Sequence, residues 1–478
     1  MPLLFLSASL PRRLTLAALP LFLAACASGG REAPAPRIEL PASFRHTNAN
    51  AEAAPAGPRE PIAPEWWRAY GDPELDALLR RVAEANPELA QAEARWRQAL
   101  SQVDAARALA LPRLGAGASV TRSGGGATSS GASAGTRRLY DAGLDLSWTP
   151  DLWGRVARER EAAAAGADAQ AALLDAGRLA LQLAAAQGYV RLRALDAQLA
   201  LQAEADIAYT RSLQITRLQY EAGLVARADV IQADTQLQSL RTQAFTLQRQ
   251  RALEANALAL LAGATPTDFP VAAREGALPA VPPVPAALPA ELLRRRPDLA
   301  AAERQLAAAH ARLGIAQTAW LPDLTLSASA GWQASSFARW LDTPSRVWSL
   351  GPRLAATLFD GGARRANEAL FTAAYDEQAA AWRAGVLAAV RETEDALAQL
   401  ATLAEQERQQ ARLVELANEN ERVVGYRYEA GEISFLEVAT AQNLALSARR
   451  AALDVRAQRL AASMALVAAL GGGWQPPP

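Results

Sequence analysis

The sequence predicts a mainly α-helical chain with a smaller β-component, built from two copies of one structural unit. Three observations lead to this fold class. Short motifs recur at a separation of about 208 to 210 residues, which indicates an internal duplication. Each copy contains a stretch of nearly seventy residues without proline. Four short segments alternate between apolar and polar residues, the pattern of half-buried β-strands.

The composition excludes most enzyme chemistry. The 478 residues include 49 basic and 49 acidic side chains, one cysteine and two histidines, and every basic residue is an arginine. Without lysine there is no phosphate-loop lysine and no Schiff base. One cysteine and two isolated histidines provide neither a disulfide nor a metal cluster, and a formal charge of zero provides no basic surface for nucleic acid. We therefore predict no enzyme activity, cofactor, metal or nucleic-acid partner.

The N-terminus has the order of a secretory signal. Two arginines precede the apolar run 14–23, which is too short to span a bilayer, and small residues follow. Leu23-Ala24-Ala25-Cys26 resembles a bacterial lipoprotein cleavage box, so we predict a signal peptide over residues 1–25 and lipidation of Cys26. An ordinary signal peptide with an unrelated thiol is the alternative. Residues 26–71 are then a lipid-anchored tether and equatorial segment, and Ala27 is consistent with sorting to the outer membrane.

Matched motifs locate the two copies. Asn86-Pro87-Glu88-Leu89 corresponds to Arg296-Pro297-Asp298-Leu299, Tyr220-Glu221-Ala222-Gly223 to Tyr428-Glu429-Ala430-Gly431, and Gly263 to Gly471. We predict repeat 1 over residues 72–263, a proline-rich linker over 264–290, repeat 2 over 291–473 and a tail over 474–478. Each repeat has the order helix, two strands, long helix, return helix.

The first helix of each repeat has clear start and stop signals. In repeat 1, Asp72 and Asn86 each stand before a proline, as expected where a capping side chain precedes the first helical turn. Leu111-Pro112 and Leu321-Pro322 end the two helices, because the residue before proline avoids the helical conformation.

The strands that follow show alternation with period two. The apolar positions are Leu114 to Val120 in a weaker segment, then Tyr140, Ala142, Leu144, Leu146 and Trp148; Leu324, Leu326, Ala328, Ala330 and Trp332; and Trp348, Leu350, Leu354, Ala356 and Leu358. Strands of about ten residues suit a transmembrane β-barrel with tryptophans at the membrane interface. A small soluble sheet is the alternative. Four strands cannot close a barrel, whereas a trimer supplies twelve.

The long proline-free stretches, residues 155–220 and 364–428, predict helices of roughly 100 Å each. A coiled-coil register runs through Val386, Val390, Thr393, Leu397, Leu400 and Ala404. Return helices over residues 229–261 and 437–470 follow the tyrosine-to-glycine turns. Abundant alanine permits packing on two sides, as in a helical barrel whose members each have two neighbours.

These features together resemble the outer-membrane factor family of tripartite pumps, the TolC and NodT-type efflux lipoproteins. The most specific stretches are Glu65-Trp66-Trp67-Arg68-Ala69-Tyr70-Gly71-Asp72-Pro73-Glu74-Leu75 and Leu288-Pro289-Ala290-Glu291-Leu292-Leu293-Arg294-Arg295-Arg296-Pro297-Asp298-Leu299. The resemblance implies a homotrimer with a twelve-stranded barrel in the outer membrane and a coiled-coil α-helical barrel in the periplasm. It also implies two partners, a periplasmic adaptor protein and an inner-membrane transporter of the RND type.

The resemblance further assigns roles to the two turns. The turns of the family dock the adaptor, which we carry over to Tyr220, Gly223, Leu224, Tyr428 and Gly431.

Asp229 and Glu437, each six residues after a turn glycine, would form rings of three carboxylates in a trimer, a pattern that favours cations in channels. Family members close the tunnel here with polar and charged contacts, and Tyr428 and Asp229 match two such positions. Ile433 replaces an arginine of some members, which favours apolar or hydrogen-bonded closure.

Two other functions compete with passive efflux from an inner-membrane transporter to the exterior. The same channel would also serve type I protein secretion, and a non-conducting periplasmic scaffold lipoprotein would need no pore. Conductance of the purified protein separates the scaffold from both channels.

Overall fold

The computed structural model describes residues 38–41, 43–45, 62–124, 136–274, 276, 278–283 and 295–475. The predicted signal peptide, the lipidation site Cys26 and most of the tether lie outside the described residues. Parts of the predicted linker and tail also lie outside them.

The described helices and strands follow the predicted order. They are α1 (Pro73–Ala85), α2 (Pro87–Ala108), β1 (Arg113–Gly124), β2 (Thr136–Trp148), α3 (Arg155–Glu221), α4 (Arg227–Leu261), α5 (Pro297–Thr318), β3 (Asp323–Ala334), β4 (Arg346–Ala355), α6 (Ala363–Glu429) and α7 (Phe435–Ala469). A short 3-10 helix, Trp66–Tyr70, precedes α1. No helix in these ranges combines the length and apolar character needed to cross a membrane.

The ends of several elements differ from the prediction. The alternation predicted that β4 extends to Leu358, but the strand ends at Ala355, which pairs with Asp323 at the first position of β3. Beyond that pair β3 offers no further partner. The return helices begin two residues earlier than predicted, at Arg227 and Phe435.

The caps of α1 and α2 form as predicted. The Asp72 carboxylate accepts the Glu74 N–H at 3.0 Å, and Asn86 Oδ1 accepts the N–H of Glu88 at 2.8 Å. Asn86 also donates its amide to the Leu261 carbonyl at the end of α4, at 2.9 Å. Asn86 thus caps the start of α2 and also bonds the end of α4.

The second repeat makes the corresponding contact with a different side chain. Arg296, which corresponds to Asn86, donates to the Ala469 carbonyl at the end of α7, at 3.2 Å. Its guanidinium also pairs with Asp298 at 2.7 Å and Glu392 at 2.9 Å. The duplication is therefore visible in equivalent tertiary contacts as well as in the element order.

Two equivalent glycines complete these contacts. Gly263 and Gly471 adopt φ values of 66° and 97°, in the left-handed region that favours glycine. An added Cβ atom would overlap the Ala85 carbonyl oxygen at Gly263 and the Arg295 carbonyl oxygen at Gly471. Both close backbone approaches therefore require glycine, because any side chain at these positions would overlap the facing carbonyl group.

The chain folds into two compact units, each drawn from both repeats. The first takes Arg97–Ala169 and Ala302–Trp382, and the second takes Ile38–Trp96, Gln170–Ala301 and Arg383–Pro478. The first unit contains the four described strands, and the second contains both turns between long and return helices.

The first unit is organised around an antiparallel sheet in the order β1-β2-β3-β4. Ala142 pairs with Ala118 on one side and with Trp332 on the other, so the apolar positions share one face. Side chains on this face are open: Trp348 is 79% exposed and Leu350 is 77% exposed. The opposite face carries serines, glycines and aspartates, as expected for a strand with one face to lipid and one to water.

The second unit contains the largest apolar core. Trp66, Trp67 and Tyr70 pack edge to face within a cluster that includes Leu75, Leu79, Val82, Tyr189, Leu192, Leu258, Leu460 and Met464. Of the predicted coiled-coil positions, Val386, Thr393, Leu397 and Leu400 are buried, whereas Val390 and Ala404 are half-buried.

Part of the predicted linker is fixed to this unit by arginines. Arg193 donates to the Ala272 carbonyl at 3.0 Å and to Asp196 at 2.7 Å. Arg251 donates to the Val271 carbonyl at 3.0 Å and to the same Asp196 at 2.5 Å. Buried charges of this kind need both pairing and hydrogen bonds, and here the linker backbone supplies two of the acceptors.

Candidate functional site

The two turns that join long and return helices have the same backbone geometry. Gly223 and Gly431 both have φ 74°. The N–H of Gly223 bonds the Tyr220 carbonyl at 2.9 Å, and the N–H of Gly431 bonds the Tyr428 carbonyl at 2.9 Å. The next residue in each turn donates back across the last helical turn at 2.8 Å and 2.9 Å. This is a Schellman ending, in which glycine supplies the left-handed residue.

The surfaces of the two turns differ in chemistry. In repeat 1 the turn presents Leu224, which is 75% exposed, and Tyr220, which is 44% exposed. In repeat 2 the residue corresponding to Leu224 is Glu432, which pairs with Arg427 at 3.3 Å. Of the five predicted docking residues, Tyr220, Gly223, Leu224 and Gly431 therefore lie at the surface.

The fifth, Tyr428, is buried. It is 3% exposed, packs edge to face on Phe435 with ring centres 5.9 Å apart, and shares a 2.8 Å hydrogen bond with Thr216 Oγ1. The Thr216 hydroxyl donates to the Ser212 carbonyl at 2.8 Å, so the phenol of Tyr428 must be the donor to Thr216. Burial raises the pKa of Tyr428 above its ordinary value, so this phenol stays protonated to a higher pH than an exposed tyrosine.

The two predicted carboxylates are placed differently. Asp229 is half-buried in the first turn of α4 and accepts the Ala226 N–H at 3.1 Å. Glu437 is exposed in the first turn of α7. Ile433, at the position of the family arginine, packs against the apolar cluster of Tyr428 and Phe435.

Several hydrogen bonds near the turns join one repeat to the other. Tyr209 donates to Asn443 at 3.2 Å, Gln442 donates to Ser212 Oγ at 3.0 Å, and Arg211 pairs with Glu429 at 3.4 Å. Together with the bond between Tyr428 and Thr216, they hold α3 against α6 and α7.

The sequence alone did not predict a role for Thr216 or for the residues that bond near it. Small polar residues inside a helix are common on solvated faces, so their type alone gave no reason to select them. The available signal was position: Thr216 lies one helical turn before Tyr220, and Val424 occupies the corresponding place in repeat 2.

A groove of about 600 Å³ lies beside these hydrogen bonds between the two repeats. Its walls include Ile231, Gln232 and Thr235 from α4, and Ala439 and Asn443 from α7. It offers amide and hydroxyl groups over an apolar floor. The described residues include no group of three or more His, Cys, Asp or Glu placed to hold a metal ion.

An antiparallel sheet with one apolar, open face and two helices of 67 residues each defines the class of outer-membrane channels with a helical tunnel. Comparison with known proteins gives the family. The chain matches the family described as outer membrane efflux protein over residues 78–264 and 288–472, and it belongs to that family.

Named relatives cover nearly the whole chain. The chain is 31% identical over 474 residues to the pyoverdine export outer membrane protein OpmQ of Pseudomonas putida, which covers 98% of each chain. It is 31% identical over 477 residues to nodulation protein T of Rhizobium leguminosarum bv. viciae, over 97% of this chain and 94% of the relative. The solved outer-membrane channel OprN matches with a TM-score of 0.87 at 29% identity, over 94% of this chain and 99% of that chain.

These matches confirm the predicted resemblance, fold class, outer-membrane location and efflux function. The protein is an outer-membrane channel component of an efflux system, with a helical tunnel in the periplasm. Its family consists of channel proteins.

Proposed function

We propose that the chain works as a homotrimer, a passive gated conduit that receives cargo from an inner-membrane transporter of the RND type through a periplasmic adaptor. The observation that carries the trimer is the sheet. Among the described residues, β1 and β4 are edge strands with one unpaired side each, and four strands are too few to enclose a pore. Three copies supply twelve strands and leave no edge.

The turns are the proposed docking site for the adaptor. Tyr220, Gly223, Leu224 and Gly431 offer an accessible backbone and an apolar side chain, and the neighbouring groove offers hydrogen-bonding groups. Tyr428 does not contact the adaptor itself in this proposal. It stabilises the turn, because its buried ring packs the end of α6 against Phe435 at the start of α7.

The bond between Tyr428 and Thr216 is the proposed latch of the closed tunnel. It replaces the charged contact expected from the family with a neutral hydrogen bond in an apolar cluster. Asp229 and Glu437 are the proposed carboxylate rings at the tunnel mouth. Cargo is chosen by the transporter, since a passive conduit has no catalytic step of its own.

Lipidation of Cys26 after removal of residues 1–25 is the proposed attachment to the outer membrane. The boundaries of the repeats at 72–263 and 291–473, with a linker between them, are likewise part of this proposal. The repeated contacts at Asn86 and Arg296 support them.

The test is conductance and mass of the purified, full-length protein in detergent. We expect native mass spectrometry to give three chains and planar bilayers to show discrete conductance steps. A monomer or dimer as the largest species would overturn the trimer. A trimer that never conducts, with or without an adaptor, would overturn the conduit and favour a scaffold.

A further inference from the structure

In the first unit, the residues that connect helices to strands contact one another across neighbouring helices. We call each such contact a seam. Trp148 Nε1, at the end of β2, donates to the Ala110 carbonyl behind α2 at 3.0 Å. Trp153 Nε1, just before α3, donates to the Pro322 carbonyl behind α5 at 2.6 Å. The Arg364 guanidinium, at the start of α6, lies 4.7 Å from the centre of the Trp320 ring behind α5. Neighbouring helices are thus tied in the order α2, α3, α5, α6.

The two ends of this series are open. Leu358 and Phe359, in the connection from β4 to α6, are 94% and 89% exposed. Leu111, in the connection from α2 to β1, is 67% exposed, and Leu114, at the start of β1, is 66% exposed. Four large apolar side chains therefore lie at the two free edges of the unit, beside the only two strands of the described sheet that have an unpaired side.

The internal duplication predicts which residues contact each other at these two ends. The seam between Trp153 and Pro322 joins repeat 1 to repeat 2, with β2 antiparallel to β3. Asp151 corresponds to Asp360 and Pro322 to Pro112. Carried one repeat forward, the same seam joins the connection before α6 to Pro112 of another copy, with β4 antiparallel to its β1.

Leu358 and Phe359 are not placed to contact the acyl chains of the membrane. The next residue, Asp360, accepts the N–H groups of Gly362 at 3.0 Å and Arg364 at 3.1 Å, and it pairs with the Arg364 guanidinium at 2.7 Å. Charged groups are expensive in hydrocarbon, so this connection lies outside the acyl chains. In water, two adjacent large apolar side chains would stay exposed at a cost that a protein partner removes.

We propose that Leu358 and Phe359 of one copy are covered by Leu111 and Pro112 of the next copy, which makes the seam between copies a repetition of the seam between repeats. The proposal rests on the trimer of the proposed function and adds the residues that close it. Gly362 corresponds to Trp153 and has no side chain, so Leu358 and Phe359, a few residues earlier, supply the apolar side chains on this side of the contact.

Crosslinking between differently tagged chains tests the contact. One chain carries Phe359→Cys and the other carries Leu111→Cys, and both are co-expressed, purified as mixed trimers and treated with a short bis-maleimide. We expect crosslinked dimers that contain one chain of each tag, with a partial decrease of both monomer bands on a denaturing gel, because each mixed trimer contains one such pair of cysteines. The parent chain without an introduced cysteine reports any reaction of Cys26.

A matched control replaces Leu111→Cys by Leu341→Cys. Leu341 is a leucine with 69% exposure in the connection between β3 and β4, at the other end of the strands, and it should give no mixed dimer with Phe359→Cys. Native mass spectrometry confirms that every variant still assembles.

Each outcome discriminates. Trimers that crosslink equally with Leu341→Cys, or not at all with Leu111→Cys, would overturn the contact and leave the trimer intact. Absence of any trimer, in the parent as well, would overturn the proposed function itself. A fluorophore on Phe359→Cys that spin-labelled lipid quenches in nanodiscs would show a lipid contact and also refute the proposal.

Discussion

At the scale of single residues, two buried tyrosines use the same arrangement. Tyr70 bonds Ser463 Oγ at 2.8 Å, and the Ser463 hydroxyl donates to the Leu460 carbonyl at 2.7 Å. Tyr428 bonds Thr216 in the same way. In both cases the hydroxyl of the serine or threonine donates its proton to a carbonyl of its own helix, so the phenol must be the donor to that hydroxyl. Ionisation of either tyrosine would remove the proton that it donates in this bond.

Tyr70 therefore predicts a loss of stability at high pH. Burial raises the pKa of Tyr70 to about 12, against an ordinary value of 10.0. Because the folded state holds the proton more tightly than the unfolded state, this contribution is complete below pH 10 and falls as the pH rises through 12. A shift of this size corresponds to roughly 2 to 3 kcal/mol. The stability advantage of the parent over Tyr70→Phe should shrink by that amount between pH 8 and pH 12.

The measurement is the denaturation midpoint of both proteins across this pH range. Tyr426→Phe is the control, since Tyr426 is 62% exposed and has no burial to lose. A difference between parent and Tyr70→Phe that stays constant with pH would contradict the prediction.

Gly471 predicts a large cost for a single methyl group. In Gly471→Ala the new Cβ would overlap the Arg295 carbonyl oxygen, in a backbone conformation that alanine disfavours. We expect destabilisation clearly above about 1 kcal/mol, measured by thermal or denaturant unfolding.

Gly166 is the matched control for Gly471. It lies inside α3 with no atom within 4 Å of an added Cβ, so Gly166→Ala should stabilise by about 0.5–1 kcal/mol. Equal effects of the two substitutions would show that the close approach at Gly471 is not real.

At the scale of elements, the proposed latch between α3 and α6 depends on one threonine. Thr216→Val keeps the shape of the side chain but removes the acceptor, which leaves the buried Tyr428 hydroxyl unsatisfied at a cost of about 1–3 kcal/mol. We expect the closed tunnel to be weakened, so that channels open more often in planar bilayers at a given voltage.

Thr242→Val separates this effect from a general change in helix stability. Thr242 makes the same bond to the carbonyl four residues earlier, at 2.9 Å, but it is exposed and bonds no tyrosine. If both valine variants open equally often, the latch does not hold the tunnel closed.

At the scale of the whole molecule, the two carboxylates near the turns decide ion preference if they line the pore. Glu437→Gln would remove three charges from a trimer, and we expect the ratio of cation to anion permeability to fall. Reversal potentials in a salt gradient measure it. Glu84→Gln removes an exposed carboxylate of α1 and should leave the ratio unchanged. An unchanged ratio in Glu437→Gln would remove that residue from the proposed ring.

The sequence alone was sufficient for the elements and for the class of protein. Proline-free stretches, period-two alternation and glycine after tyrosine act over short distances, so they predicted the long helices, all four strands and both turns. The alternation stops short of the observed ends of β1 and β2, at Gly124 and Thr136. It runs too far at the end of β4, because apolar letters continue to Leu358 while the partner strand stops opposite Ala355. Pairing ends where the neighbour ends, and no local pattern records that.

The tertiary structure decided which predicted site residues are reachable and what holds them. Tyr220 and Tyr428 occupy equivalent positions in the sequence, yet one is exposed and the other is buried against Phe435 and bonded to Thr216. The duplication gives both turns the same backbone, whereas the packing of α6 and α7 against α3 buries only one of the tyrosines. Burial and hydrogen bonding depend on residues about two hundred positions apart, so periodicity determined the elements and only their packing distinguished the surface from the latch.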